Sequence, residues 1–169
     1  MEMLGLLILI LAGGVTFIAF LAALGLLVPG PIGKTRQVLT ALFGRSFLVG
    51  LVNFLFFFIV TALLVRFSGA VSGAFAVILF SFAVLILLAL IIFAVAGLAG
   101  LVDLLGERMG GTKSPLAANF RGGLLLVLAC LAPYIGWYIF TPFVLLTGLG
   151  AAILALFQRK PAPVPEAER

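Results

Sequence analysis

Charged residues divide this chain into long uncharged runs. Stretches free of Asp, Glu, Lys and Arg cover residues 3–33, 46–65, 67–102 and 122–158, which are 31, 20, 36 and 37 residues long. A helix rises ~1.5 Å per residue, so about 20 residues cross ~30 Å of hydrocarbon. Each run can cross a bilayer at least once. None alternates polar and apolar positions, so membrane strands are not expected. The pattern predicts an all-α polytopic bundle of about five spans, near residues 3–28, 47–65, 74–102, 115–132 and 142–158. These form one domain over 1–157, followed by a Pro-rich, charged tail, QRKPAPVPEAER, expected to be disordered at 158–169.

Prolines and glycines place the breaks. The first span runs into Pro29-Gly30-Pro31, which cannot continue a helix. A secretory signal would carry cations ahead of its apolar run. Here Glu2 precedes the run and Lys34 and Arg36 follow it, which suits an uncleaved anchor with its N-terminus outside. In residues 34–45, Val38, Leu39, Leu42 and Phe43 share one face while Lys34, Arg36, Gln37 and Arg45 stay polar. This predicts either a short helix lying on the membrane surface or a solvated basic loop. Residues 66–73 read as a tight connection.

The final run is ambiguous by length. One helix of 37 residues would extend ~55 Å, nearly twice the hydrocarbon thickness. The only Trp and both Tyr fall in its middle, as Tyr134, Trp137 and Tyr138. These side chains favour the headgroup level. A hairpin would place them there, with Pro133, Gly136 and Pro142 as breaks. Ser114-Pro115 and Thr141-Pro142 read as N-cap and first-turn pairs. Cation placement favours the same hairpin. With five crossings and the N-terminus outside, nine of the ten Lys and Arg fall inside and Arg66 alone falls outside. With four crossings the division is six against four. The expected topology therefore has both ends of the last pair inside, in a bacterial cytoplasmic membrane. A re-entrant final hairpin is the alternative.

Composition narrows the chemistry. The chain is 65% hydrophobic and 9% charged, where a soluble domain has about 25% charged residues. Its formal charge of +5 comes from cations too scattered for a nucleic-acid surface. There is no His, and Cys130 is the single Cys, which excludes an internal disulfide and imidazole or multi-thiolate metal sites. No metal or cofactor is called for. Asp103 and Glu107 share one helical face at the inner end of the third span, with Arg108 adjacent. They read as a cation or proton entry site or as a solvated helix end. Arg121 is expected to snorkel to the headgroups, or to pair with Asp103 or Glu107.

Among the polar residues placed in the spans (Thr16, Asn53, Thr61, Ser81 and Thr147), Asn53 is the costliest to leave facing lipid. It is expected to bond to a neighbouring helix or subunit, or to line a pore. Gly97 and Gly100, with Ala94 and Ala96, form a small-residue patch suited to close helix approach. The GxxxG pairs Gly69/Gly73 and Gly106/Gly110 fall near loops. Cys130 reads as a small core residue. No nucleophile–base pair or carboxylate dyad emerges, so no enzyme is expected.

The segment LGERMGGTKSPLAANFRGGLLLVLACLAPYIGWYIFTPFVLLTGLGAAILALF carries a Pro133-Tyr134-Ile135-Gly136 turn and a Gly148-Leu149-Gly150-Ala151 element. Together with VPGPIGKTRQVLTALFGRSFLVG it resembles, over about residues 29–157, the polytopic membrane module associated with bacterial bactofilin-like polymer-forming proteins. The resemblance implies membrane tethering and no catalytic residues. The 169 residues contain no solenoid segment. The combined reading is a non-catalytic subunit that scaffolds or anchors a larger bacterial membrane complex, respiratory or photosynthetic. Its partners would be lipid, other membrane subunits, and a lipid, quinone or pigment at apolar faces. The alternative is a small oligomeric channel or transporter.

Overall fold

The computed structural model describes residues 2–109, 114–132 and 134–157, all helix and short connections. Helix α1 spans Glu2–Leu27, α2 Pro29–Ala41, α3 Phe43–Ala70, α4 Ala74–Arg108 and α5 Pro115–Leu131. A π-helical segment, Gly136–Phe140, leads directly into α6, Thr141–Phe157. The tail 158–169, Lys113, Gly110 and Pro133 lie outside the described residues. Three helices are long and apolar enough to cross a membrane: α3, α4, and the continuous Gly136–Phe157. A fourth is gained if the α1–α2 pair is one broken span.

The Pro29 break is a sharp turn. Val28, forced out of helical geometry by the following proline, has φ −129° and ψ 58°, and the axes on either side differ by 104°. The segment expected as a surface helix or loop is helical and starts earlier, at Pro29. One side of α2 is buried in the bundle, with Ile32, Thr35, Val38 and Leu39 at 4% exposure or less. Helix α3 continues to Ala70, past the expected end at residue 65, and Gly73 at φ 81° turns the chain into α4.

Glycines set the helix spacing. A Cβ on Gly97 would lie 2.0 Å from the Gly148 carbonyl oxygen. One on Gly150 would lie 1.8 Å from that of Ser46. Backbone therefore rests on backbone where α6 crosses α4 and α3. Gly148 and Gly150 are two residues apart, so they face nearly opposite sides of α6 and one short motif serves both contacts. Gly100 admits the Thr35 side chain of α2. The expected patch at 97–100 does mediate close approach, to α6 and α2.

The last two helices differ from the expected hairpin. Phe43 and Phe47 touch Phe143, and Asn53 and Phe57 share a cavity with Ile153 and Phe157, so α6 runs alongside α3 in the same direction. It therefore opposes α4. Helix α5 opposes α4 as well, because Ala118 meets Gly106 and Gly122 meets Val102. Helices α5 and α6 meet through the π-helical segment, where Gly136 sits against the Ala129 and Cys130 carbonyls. The physical reason is length. Seventeen residues in α5 give ~25 Å, short of the hydrocarbon thickness. The connection from α5 to the π-helical segment passes through Tyr134, whose φ is +66°.

Thr141-Pro142 is not a helix start. Thr141 is helical, its N–H donates to the Gly136 carbonyl five residues back, and its hydroxyl donates to the same oxygen at 2.7 Å. The π-widening just ahead of Pro142 accommodates a ring that lacks an N–H and clashes with the preceding turn.

The core lies around the second half of α4, where α1, α2, α5 and α6 converge. Ala83 is the one buried residue of α4 before Gly97, and α3 buries only Ser46 and Gly50. Large apolar side chains such as Phe58, Phe67, Phe75 and Phe82 stand exposed along the remainder.

Candidate functional site

Charge is concentrated where α2 meets the end of α4. Asp103 and Glu107 lie on the α4 face that also carries Gly100, and Gly100 brings α2 close. Arg36 of α2 reaches both carboxylates. Its Nη1 donates to Asp103 Oδ2 at 3.3 Å and to Glu107 Oε1. Of the two readings of Arg121, the pairing with Asp103 or Glu107 is not formed, and Arg36 holds both acids instead. Gly122 faces α4 across the tight α4–α5 contact, so Arg121, 100° round the helix, points away from that interface. Among the described residues neither Arg121 nor Arg108 pairs with an acid, and both are exposed. Sequence reasoning named Arg36 only as a polar residue of the amphipathic segment. The i, i+3, i+7 spacing of Gly100, Asp103 and Glu107 was the available signal that another element docks there.

The larger concave feature is an apolar cleft of about 570 Å³ between α1, α5, the π-helical segment and α6. Gly13, Gly14, Leu98, Val127, Cys130 and Val144 line it, and Trp137 stands at its edge. Of the two α1 glycines that line it, Gly14 packs on α5, where a Cβ would lie 3.5 Å from Val127. A Cβ on Gly13 would meet nothing within 4 Å. Cys130 is half-buried on its wall. Tyr134, Trp137 and Tyr138 are 79%, 67% and 77% exposed. On the other side of α5, a shallower groove of about 430 Å³ runs along Leu124, Leu125 and Leu128, with Arg121 at its head.

Asn53 makes no bond to a neighbouring helix. Its Nδ2 donates to the Val49 carbonyl of its own helix at 2.8 Å. It borders a third cavity, of about 310 Å³, otherwise walled by Phe, Leu, Ile and Ala. Thr16 and Thr147 likewise turn back to carbonyls four residues earlier, at 2.8 and 2.7 Å. Hydroxyls that close on their own helix leave an apolar outer surface. The sequence survey overlooked Asn119, which is 5% exposed between α1, α4 and α5, with its Oδ1 unpartnered and its Nδ2 2.9 Å from where a Gly25 Cβ would sit.

Among the described residues no three metal-ligating side chains come together. The arrangement can hold an apolar chain and an anionic group. Comparison with protein-family models, with curated proteins and with solved structures finds no match to this chain.

Proposed function

We propose that this chain is a non-catalytic helical subunit of a larger membrane assembly, which it anchors and stabilises. The observation that carries this reading is the exposed apolar outer surface of the α3–α4 pair. Helices of 28 and 35 residues leave most of their length uncovered and densely apolar. An exposed apolar area of that extent marks a surface made for lipid or for other membrane subunits. The positions of the other polar groups agree, since Asp103 and Glu107 are engaged by Arg36 and Asn53 by the Val49 carbonyl. A channel would need those same groups turned to a water path, so the geometry favours the structural role. A bacterial cytoplasmic membrane, and a respiratory or photosynthetic complex, are the settings this reading fits. The resemblance to the bactofilin-associated module fits a tethering variant of the same role.

The helix directions support four crossings, by α1, α3, α4 and α6. Helix α5 enters partway, and α2 lies near the membrane surface where α1 ends. The test is photo-crosslinking in native membranes from a reactive residue at Phe82, which is 58% exposed on α4. The expected result is one defined integral membrane partner in stoichiometric yield. Crosslinks to lipid alone, together with a monomer in mild detergent, overturn the subunit reading.

A further inference from the structure

We infer that α5 carries a binding site for an anionic phospholipid, with Arg121 on the headgroup phosphate and one acyl chain on each side of the helix. The inference rests on the membrane reading above and adds a ligand to it. Arg121 is exposed and, among the described residues, has no acidic partner. An unneutralised guanidinium at the membrane boundary attracts anionic headgroups, and its planar fork matches phosphate geometry. An apolar groove runs from Arg121 on one side of α5, and the 570 Å³ cleft opens one turn further along on the other. Leu124, Leu125 and Leu128 floor the outer groove, and Leu124 and Leu128 also edge the 570 Å³ cleft. The ridge they form separates the two depressions, the outer one headed by Arg121 and the inner one beginning one turn further along α5, at Leu124.

The depth agrees. From Arg121 to Leu131, at the far end of the cleft, is ten residues, or ~15 Å of helix. That is one leaflet of a ~30 Å hydrocarbon core. The polar side chains of the cleft are Cys130, Thr141 and Trp137, and the Thr141 hydroxyl already donates to the Gly136 carbonyl, whereas a lipid needs the charge only at the top. The charge and the two channels together select a two-chain anionic lipid.

Trp137, the only tryptophan, lines the same cleft and reports on it directly. The full-length chain is reconstituted in phosphatidylcholine vesicles containing equal fractions of chain-brominated phosphatidylglycerol or chain-brominated phosphatidylcholine. Bromine quenches indole on contact. The expected result is about fivefold stronger association of the brominated phosphatidylglycerol, the weight of one arginine against an anionic lipid. Arg121→Gln should bring the two lipids to parity, and Arg121→Lys should retain most of the preference. Gly13→Phe, which grows into open space, should displace the chain and lower quenching by the anionic lipid. Equal quenching in the unmodified chain overturns the site, whether bulk lipid or a second copy covers the groove. So does a preference that survives Arg121→Gln. Chains that do not float with vesicles and are quenched by neither lipid overturn the membrane reading itself.

Discussion

At the scale of single residues, glycine controls this molecule more than any ionisable group does. Gly50 and Gly150 face each other's helices at backbone distance, so a methyl at either meets peptide atoms that cannot rotate away. Gly150→Ala should destabilise the protein by about 1–3 kcal/mol, the usual cost of overpacking. Gly30→Ala, with nothing within 4 Å of the new carbon, should be neutral or stabilising by about 0.5–1 kcal/mol through helix propensity. Thermal unfolding of both variants in one detergent checks the contrast, and equal midpoints would refute it. Tyr134 offers the opposite case. It holds a left-handed backbone at φ +66° with a side chain that is 79% exposed. Tyr134→Gly should raise stability by about 1 kcal/mol and Tyr134→Val should lower it. Both should show in the same melts. The small-residue patch at 97–100 was legible from the sequence, because glycine inside an apolar run has few other uses. The partners Gly148 and Thr35 were not, because spacing along one helix says nothing of which neighbour arrives.

At the scale of elements, α2 shows where sequence reading stops. Its amphipathic face was visible, and so were its basic residues. An amphipathic face can be met by lipid or by protein, and here protein meets Val38 and Leu39. Arg36 then becomes a pin between α2 and α4 instead of a headgroup contact. Its side chain and that of Asp103 are 32% and 27% exposed, so solvent screens the pair and its contribution is modest. A double-mutant cycle of Arg36→Gln with Glu107→Gln should give a coupling of about 0.5–1 kcal/mol that shrinks at 1 M salt. No coupling, or coupling insensitive to salt, would remove the pin. The π-widening ahead of Pro142 was equally hidden, because a proline announces a disturbance without saying whether the helix stops, kinks or widens.

At the scale of the whole molecule, charge counting and helix packing give different topologies. Composition made the all-helical architecture with helices of membrane-spanning length plain, and the charge-free runs located the middles of the long helices, while α2 carries Lys34 and Arg36 and α3, α4 and α5 each run through charged positions. The count of nine cations against one then favoured a fifth crossing. Packing opposes it, since α6 shares the direction of α3. Positive-inside bias is a statistical pull on loops, whereas two helices joined at Gly50 and Gly150 cannot reverse without losing that contact. If α3 leads outward, so does α6, and Phe157 ends on the side of the 71–73 turn. The division of cations then becomes six against four, still biased inward. Single cysteines at Lys34, Ser72 and Ala162, introduced in a Cys130→Ser background, decide between the two. An impermeant maleimide applied outside intact cells should label Ser72→Cys and Ala162→Cys and spare Lys34→Cys until the membrane is opened. Protection of Ala162→Cys together with Lys34→Cys, with Ser72→Cys alone labelled, would restore five crossings. In that case the parallel packing of α3 and α6 would have to be abandoned, and with it the partial entry of α5 on which the lipid site stands.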